Sequence, residues 1–207
     1  STLSSRSTLS RFENWVTADS LWQISANLVD VFIESFKKPP KQLVLDFDCT
    51  DDPVHGHQIA HFFHGYYDHY CFLPLYVFCG EQLLVSYLRP SKIDAAKHSR
   101  AILKLLVRRF RQVLPQVQII FRGDSGFCRW RLMRWCDKHK VNYIIGLAKN
   151  SVLLQHAREW MEQSAQRYQQ TLQKQRLFGE FRYAAGTWDC QRRIIVNSIK
   201  VQLSPMY

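Results

Sequence analysis

The chain has 207 residues, is 46% hydrophobic and 14% aromatic, and carries a formal net charge of +11 at a pI near 9.6. That describes one domain of ordinary size with additions and excludes a disordered chain. No apolar stretch reaches the roughly 18 residues of a membrane span, so no membrane partner is expected.

The first residues, STLSSRSTLSRFENW, hold neither an initiator Met nor the apolar core of a signal peptide and read as a processed or excised chain. Residues 8–36 then predict a helix. Ser10 is cap-like, with Glu13 three residues on. Leu21, Ile24, Leu28, Phe32 and Phe36 recur at helical spacing. KKPPK (37–41) ends the helix. QLVLDFD (42–48) predicts a strand. CFLPLYVFCG (71–80) and LLVSYL (83–88) predict two more, joined as a hairpin across Gly-Glu-Gln. Residues 94–114 predict a long helix with Ile102, Leu105, Leu106, Phe110 and Val113 on its apolar face. Lys97, Arg100, Lys104, Arg108 and Arg111 recur on another side.

VQIIFRGD (117–124) predicts a strand, 127–139 a helix, NYIIGL (142–147) a strand and 152–174 a helix. LFGEFRYA and RRIIVNSIKV predict strands of a separate β element. A meander followed by alternating helices and strands implies an α/β fold, a mixed sheet with helices packed on it. The six cysteines form no CxxC pair and read as reduced cytosolic thiols.

Between Arg100 and Lys140 eleven Lys/Arg face only Asp124 and Asp137. Such a concentration favours a polyanionic partner, nucleic acid ahead of membrane. Against this background QLVLDFDCTDDP gathers Asp46, Asp48, Asp51 and Asp52. In a strand Val44, Asp46 and Asp48 share one face, opposite Leu43, Leu45 and Phe47. Asp51 and Asp52 read as turn or cap residues before Pro53, and Asp46 as a structural hydrogen-bonder. Asp48, where the strand ends, reads as a ligand for Mg²⁺ or Mn²⁺. Asp124 ends another apolar strand and reads equally as a helix N-cap or as the second ligand. Two strand-end carboxylates converging at one end of one sheet suit two-metal phosphoryl transfer.

HGHQIAHFFHGYYDHY adds His55, His57, His61, His64 and His69. Zinc is one reading of the cluster. The lack of a Cys pair or HExxH argues instead for a packing or DNA-contacting segment.

LDFDCTDDPVHGHQIAHFFHGYYDHYCFLPLYVFCGEQLL, LRPSKIDAAKH, IIFRGDSGFCRW and KQRLFGEFRYAAGTWD resemble the DDE transposases of bacterial insertion sequences, family thirteen-eighty, from about residue 9 to 196. The resemblance implies an RNase H-like mixed sheet flanked by helices, in which the first catalytic Asp ends the first strand and the second ends the fourth. Those positions are Asp48 and Asp124. It further implies two Mg²⁺ (or Mn²⁺) ions and, as partner, double-stranded DNA: the element's terminal inverted repeats and the target. A homodimer on paired ends and a bacterial cytoplasmic, nucleoid-associated location also follow. Lys97, Arg100, Lys104, Arg108, Arg111 and Arg122 are the expected DNA-contacting residues.

The organisation so implied is an N-terminal helical segment (1–40), an incomplete catalytic core (41–175) and the start of a β-rich insertion (176–207). The family's third acid, a Glu in a Tyr-x-x-Arg-x-x-x-Glu helix, has no counterpart before Tyr207, so the chain is expected to be a fragment. Glu159 is the rival for that role, at a spacing other DDE groups use. A solvated helix face is the alternative for it.

Overall fold

The computed structural model describes residues 4–56 and 58–201. In chain order the elements are α1 (Arg6–Trp15), α2 (Ala18–Glu34), β1 (Gln42–Cys49), β2 (Asp52–Pro53), β3 (Phe62–His64), β4 (His69–Phe72), β5 (Leu75–Cys79) and β6 (Gln82–Tyr87). Then come α3 (Ser99–Val113), β7 (Gln118–Gly123), α4 (Trp130–Lys138), β8 (Asn142–Ile145), α5 (Ser151–Thr171), β9 (Gln175–Tyr183) and β10 (Arg192–Lys200).

Two helices replace the single one expected over 8–36. Val16 and Thr17 are extended, and Thr17 Oγ1 accepts from the Ser20 N–H at 3.2 Å, which caps a new helix. Ser5 rather than Ser10 caps α1, accepting from the Thr8 N–H at 3.3 Å. Val29, Phe32 and Ile33 form the buried stripe of α2, whereas Leu21, Ile24 and Leu28 are exposed. Only the last turns of α2, beside β6 and α3, therefore enter the core.

The main sheet runs β6-β5-β1-β7-β8. β6, β5 and β1 are antiparallel neighbours; β1, β7 and β8 are parallel. The tight turn between β5 and β6, with Gly80 at φ +60°, makes the hairpin. α3 and α4 supply the crossovers that parallel strands require. The segment 71–80, expected to be one strand, is two. Pro74 has no N–H to donate to a ladder and separates β4 from β5. β4 belongs instead to a small sheet, β2-β4-β3.

α3 also starts later than expected, at Ser99 rather than Asp94. Asp94 Oδ1 accepts from the Ala96 N–H at 2.9 Å, closing a turn, and His98 at φ +71° cannot continue a helix backwards. Lys97 accordingly precedes the helix. The buried face of α3 is Leu103, Leu106, Val107 and Phe110; Leu105 and Val113 are exposed. These residues share one core with Leu43, Leu45 and Phe47 of β1, Ile119 and Phe121 of β7, and Leu132 and Cys136 of α4. On the opposite face Val44, Asp46, Asp48, Ile120 and Arg122 are all at least partly exposed.

The chain divides into residues 1–146, which hold both sheets just described, and 147–207. In the second unit α5 packs on the antiparallel pair β9–β10. Trp160 lies over Gly179, where an added Cβ would fall 2.0 Å from the indole. All six cysteines are free. Among the described residues no helix is long and apolar enough to cross a membrane.

Candidate active site

β1 and β7 run parallel in a register that pairs Leu45 with Phe121 and Phe47 with Gly123. Asp48 and Asp124 each follow the last of these pairs. They therefore leave neighbouring strands at the same end of the sheet, and both are exposed. Both carboxylates push the Cys49 thiol upward, so each lies within electrostatic reach of the residue after Asp48. Burial is the larger cause, and together they raise that thiol to about 11.

The floor beneath the pair is aromatic. Phe47, Phe121 and Phe127 are buried, with Phe47–Phe121 centroids 4.7 Å apart and Phe121–Phe127 centroids 6.0 Å apart. Asp124 Oδ1 accepts from the Gly126 N–H at 2.8 Å and caps a 3-10 turn, Ser125–Phe127. Asp124 is thus a cap, and its second oxygen is free of that role.

Asp46, on the same face as Asp48, is neutralised within the sheet. Its cross-strand neighbour Arg122 forks onto it, Nη2 to Oδ2 at 2.7 Å and Nε to Oδ1. The hydrogen bond and then the charge of Asp46 raise the Arg122 pKa. Asp51 contacts His69, Oδ2 to Nε2 at 2.8 Å, a charge contact without hydrogen-bond alignment. The described histidines do not gather as a metal-binding group. His64 and His69 are cross-strand partners, His61 packs against Tyr70, and His57 lies outside the described residues. Among the described residues no three His, Cys, Asp or Glu side chains gather to hold a metal ion. Among the described residues Asp48 and Asp124 have no third acid or histidine gathered beside them. Glu159 lies on α5 in the second unit, exposed, accepting from Gln163 Nε2 at 3.1 Å.

Of the basic residues, Lys97, Arg100, Lys104 and Arg108 are exposed. Arg111 donates to the carbonyls of His139 and Lys140, at 2.5 and 3.2 Å, at the end of α4. Arg111 and Arg122 are thus committed to partners inside the chain. A cavity of about 510 Å³ between α2, β6 and α3 includes neither aspartate. The acids stand on open surface.

Gly146, at the end of β8, supports the site without a sequence signal beyond being a strand-end glycine. It donates to Gly123 O at 3.0 Å, and an added Cβ would lie 2.7 Å from Ser125 N and 3.0 Å from Asp124 C. Both are backbone atoms and cannot swing away. Gly146→Ala is expected to displace the Asp124 turn and cost about 1–3 kcal/mol, as overpacking does. A urea melt, with chemical shifts confined to residues near 123–127, checks it.

A comparison with curated proteins returns no match. The family model described as transposase DDE domain, group 1, matches residues 1–204. That span takes in both aspartates and both units, and the chain belongs to the group 1 transposase DDE domain family.

Proposed function

We propose that this chain is the catalytic core of an insertion-sequence transposase of the thirteen-eighty type, in which Asp48 and Asp124 hold Mg²⁺ (or Mn²⁺) at the point where DNA is cut and joined. The observation that carries the reading is the pair of exposed carboxylates at adjacent ends of the parallel strands β1 and β7. An RNase H-like sheet is supported by chain order. Asp48 lies in the first strand of the five-stranded sheet, and Asp124 directly follows the fourth.

The donor set fits a hard divalent cation, because Mg²⁺ is commonly held by one or two carboxylates with waters and substrate phosphate completing its shell. When bound, such an ion activates water or a 3′-hydroxyl and stabilises the leaving oxygen. The chain's own part is to present Asp48 and the Asp124 oxygen not used in the cap from one end of two adjacent interior strands. It also has to hold the duplex. Lys97 and the α3 side chains Arg100, Lys104 and Arg108 are exposed and would supply phosphate contacts at the element's inverted repeats and at the target. Action as a homodimer on paired ends, at the nucleoid, goes with this reading.

Replacing Arg100, Lys104 and Arg108 by Gln is expected to weaken binding to all duplexes alike. The slope of log affinity against log salt should fall by about one unit per lost contact. Anisotropy titrations at several salt concentrations measure it; an unchanged slope leaves the stripe as a solvated face.

A second reading, a basic DNA-binding fragment without chemistry, is favoured by the lack of a third carboxylate beside the pair among the described residues. Mn²⁺ titration followed by electron paramagnetic resonance, with and without duplex, separates the two. The catalytic-core reading expects binding that tightens when DNA is present, because phosphate oxygens join the shell. Mn²⁺ binding indifferent to DNA, or none at all, favours the second reading.

A further inference from the structure

Arg89 is 1% exposed, among the most buried large side chains of the chain. Its guanidinium makes four hydrogen bonds among the described residues: Nε to Leu73 O at 2.8 Å, Nη1 to Ala95 O at 3.1 Å and to Lys97 O at 2.6 Å, and Nη2 to Cys49 Sγ at 2.7 Å. None of these acceptors is a carboxylate. Burying a guanidinium costs several kcal/mol unless its donors are met, and apolar packing commonly serves stability as well or better. What an apolar side chain lacks is the planar fork, which here reaches three separate stretches of chain at once.

Those stretches flank the two acids. Cys49 directly follows Asp48. It accepts from Arg89 and donates to Ala95 O at 3.2 Å. On the other side, Ala95 lies against Gly126, whose added Cβ would sit 3.7 Å from the Ala95 Cβ. The N–H of Gly126 is the group that fixes the Asp124 carboxylate. Asp94 ties the same loop to Arg129, Oδ2 to Nη2 at 2.6 Å. One buried side chain thus joins the side chain of Cys49, next to Asp48, to the loop that lies beside the Asp124 turn.

We propose that Arg89 is a positioning residue for the acidic pair, clamping residue 49 to the 94–97 loop so that Asp48 and Asp124 keep one mutual spacing. This rests on the reading of the two aspartates as cation ligands.

The test compares the full chain with Arg89→Lys, Arg89→Met and Cys49→Ala by hydrogen–deuterium exchange and by Mn²⁺ titration. Lys keeps the charge but not the fork, so both Arg89 variants should behave alike. Exchange should rise about tenfold or more at residues 48–50, 94–97 and 124–127 while the Phe110 and Phe121 core stays protected. Mn²⁺ affinity should fall about tenfold, as for groups that orient metal ligands. A uniform rise across the core overturns the proposal and leaves Arg89 a packing residue, as does unchanged Mn²⁺ affinity in a folded variant. Should both Arg89 variants fail to fold, Cys49→Ala decides. It removes one arm of the clamp and should loosen 48–50 and weaken Mn²⁺ binding; no change in either sinks the idea. If the unmodified chain binds no Mn²⁺, the ligand reading fails separately, and the exchange pattern alone decides whether Arg89 joins the two segments.

Discussion

Asp48→Asn and Asp124→Asn are each expected to abolish Mn²⁺ binding while leaving duplex binding intact. Among the described residues no third acid or histidine gathers beside the two carboxylates, so either change halves the charge that holds a hard cation against its waters. Neither change should unfold the chain. Asp48 is exposed, and an Asn Oδ1 at 124 can still accept from the Gly126 N–H. The side chains proposed for phosphate contact are separate residues, so DNA affinity should hold or rise slightly as a negative charge leaves the surface.

Phe127→Ala is expected to be the most destabilising single change near the site, at about 4 kcal/mol. Phe127 is 1% exposed, contacts Phe47 and Phe121 edge-on, and lies 3.0 Å from where a Cβ on Gly123 would be. Removing the ring opens a cavity under both strand ends, between packed strands that cannot collapse to fill it. Typical domains are stable by only about 5–15 kcal/mol, so the variant should melt far earlier in urea with an unchanged m-value. Phe127→Leu, which keeps most of the volume, should cost about a third as much. Equal losses for the two would mean that ring contacts, not volume, hold the floor.

Why were the strand ends readable in the sequence? QLVLDFDC alternates strictly, and the buried residues are Leu43, Leu45 and Phe47, as the pleat requires. VQIIF likewise buries alternate residues and is followed after Arg122 and Gly123 by Asp124, so both acids were visible near the ends of apolar strands. The helices were less legible, because phase and start depend on what a helix packs against. In α3 the basic residues suggested Leu105 and Val113 for the core, but the sheet buries Leu103 and Val107 one face over. His98 and the Asp94 turn delay its start, and Thr17 divides α1 from α2, through local bonds that periodicity does not reveal. Pro74 stood within a run that read as one strand, yet its two halves pair in different sheets. Arg89 gave no signal, since its partners are mostly backbone carbonyls supplied by distant turns.

The central claim, that Asp48 and Asp124 share one divalent cation, is tested most directly by replacing the ion with Fe²⁺ and generating hydroxyl radicals at it. Radicals cut backbone close to where the metal sits, and mass spectrometry locates the cuts. The account predicts cleavage at two places together, beside Asp48 and beside Asp124, both suppressed by excess Mg²⁺ and both lost in either Asn variant. Cleavage at only one of them, or within the histidine segment 55–69 instead, would contradict it.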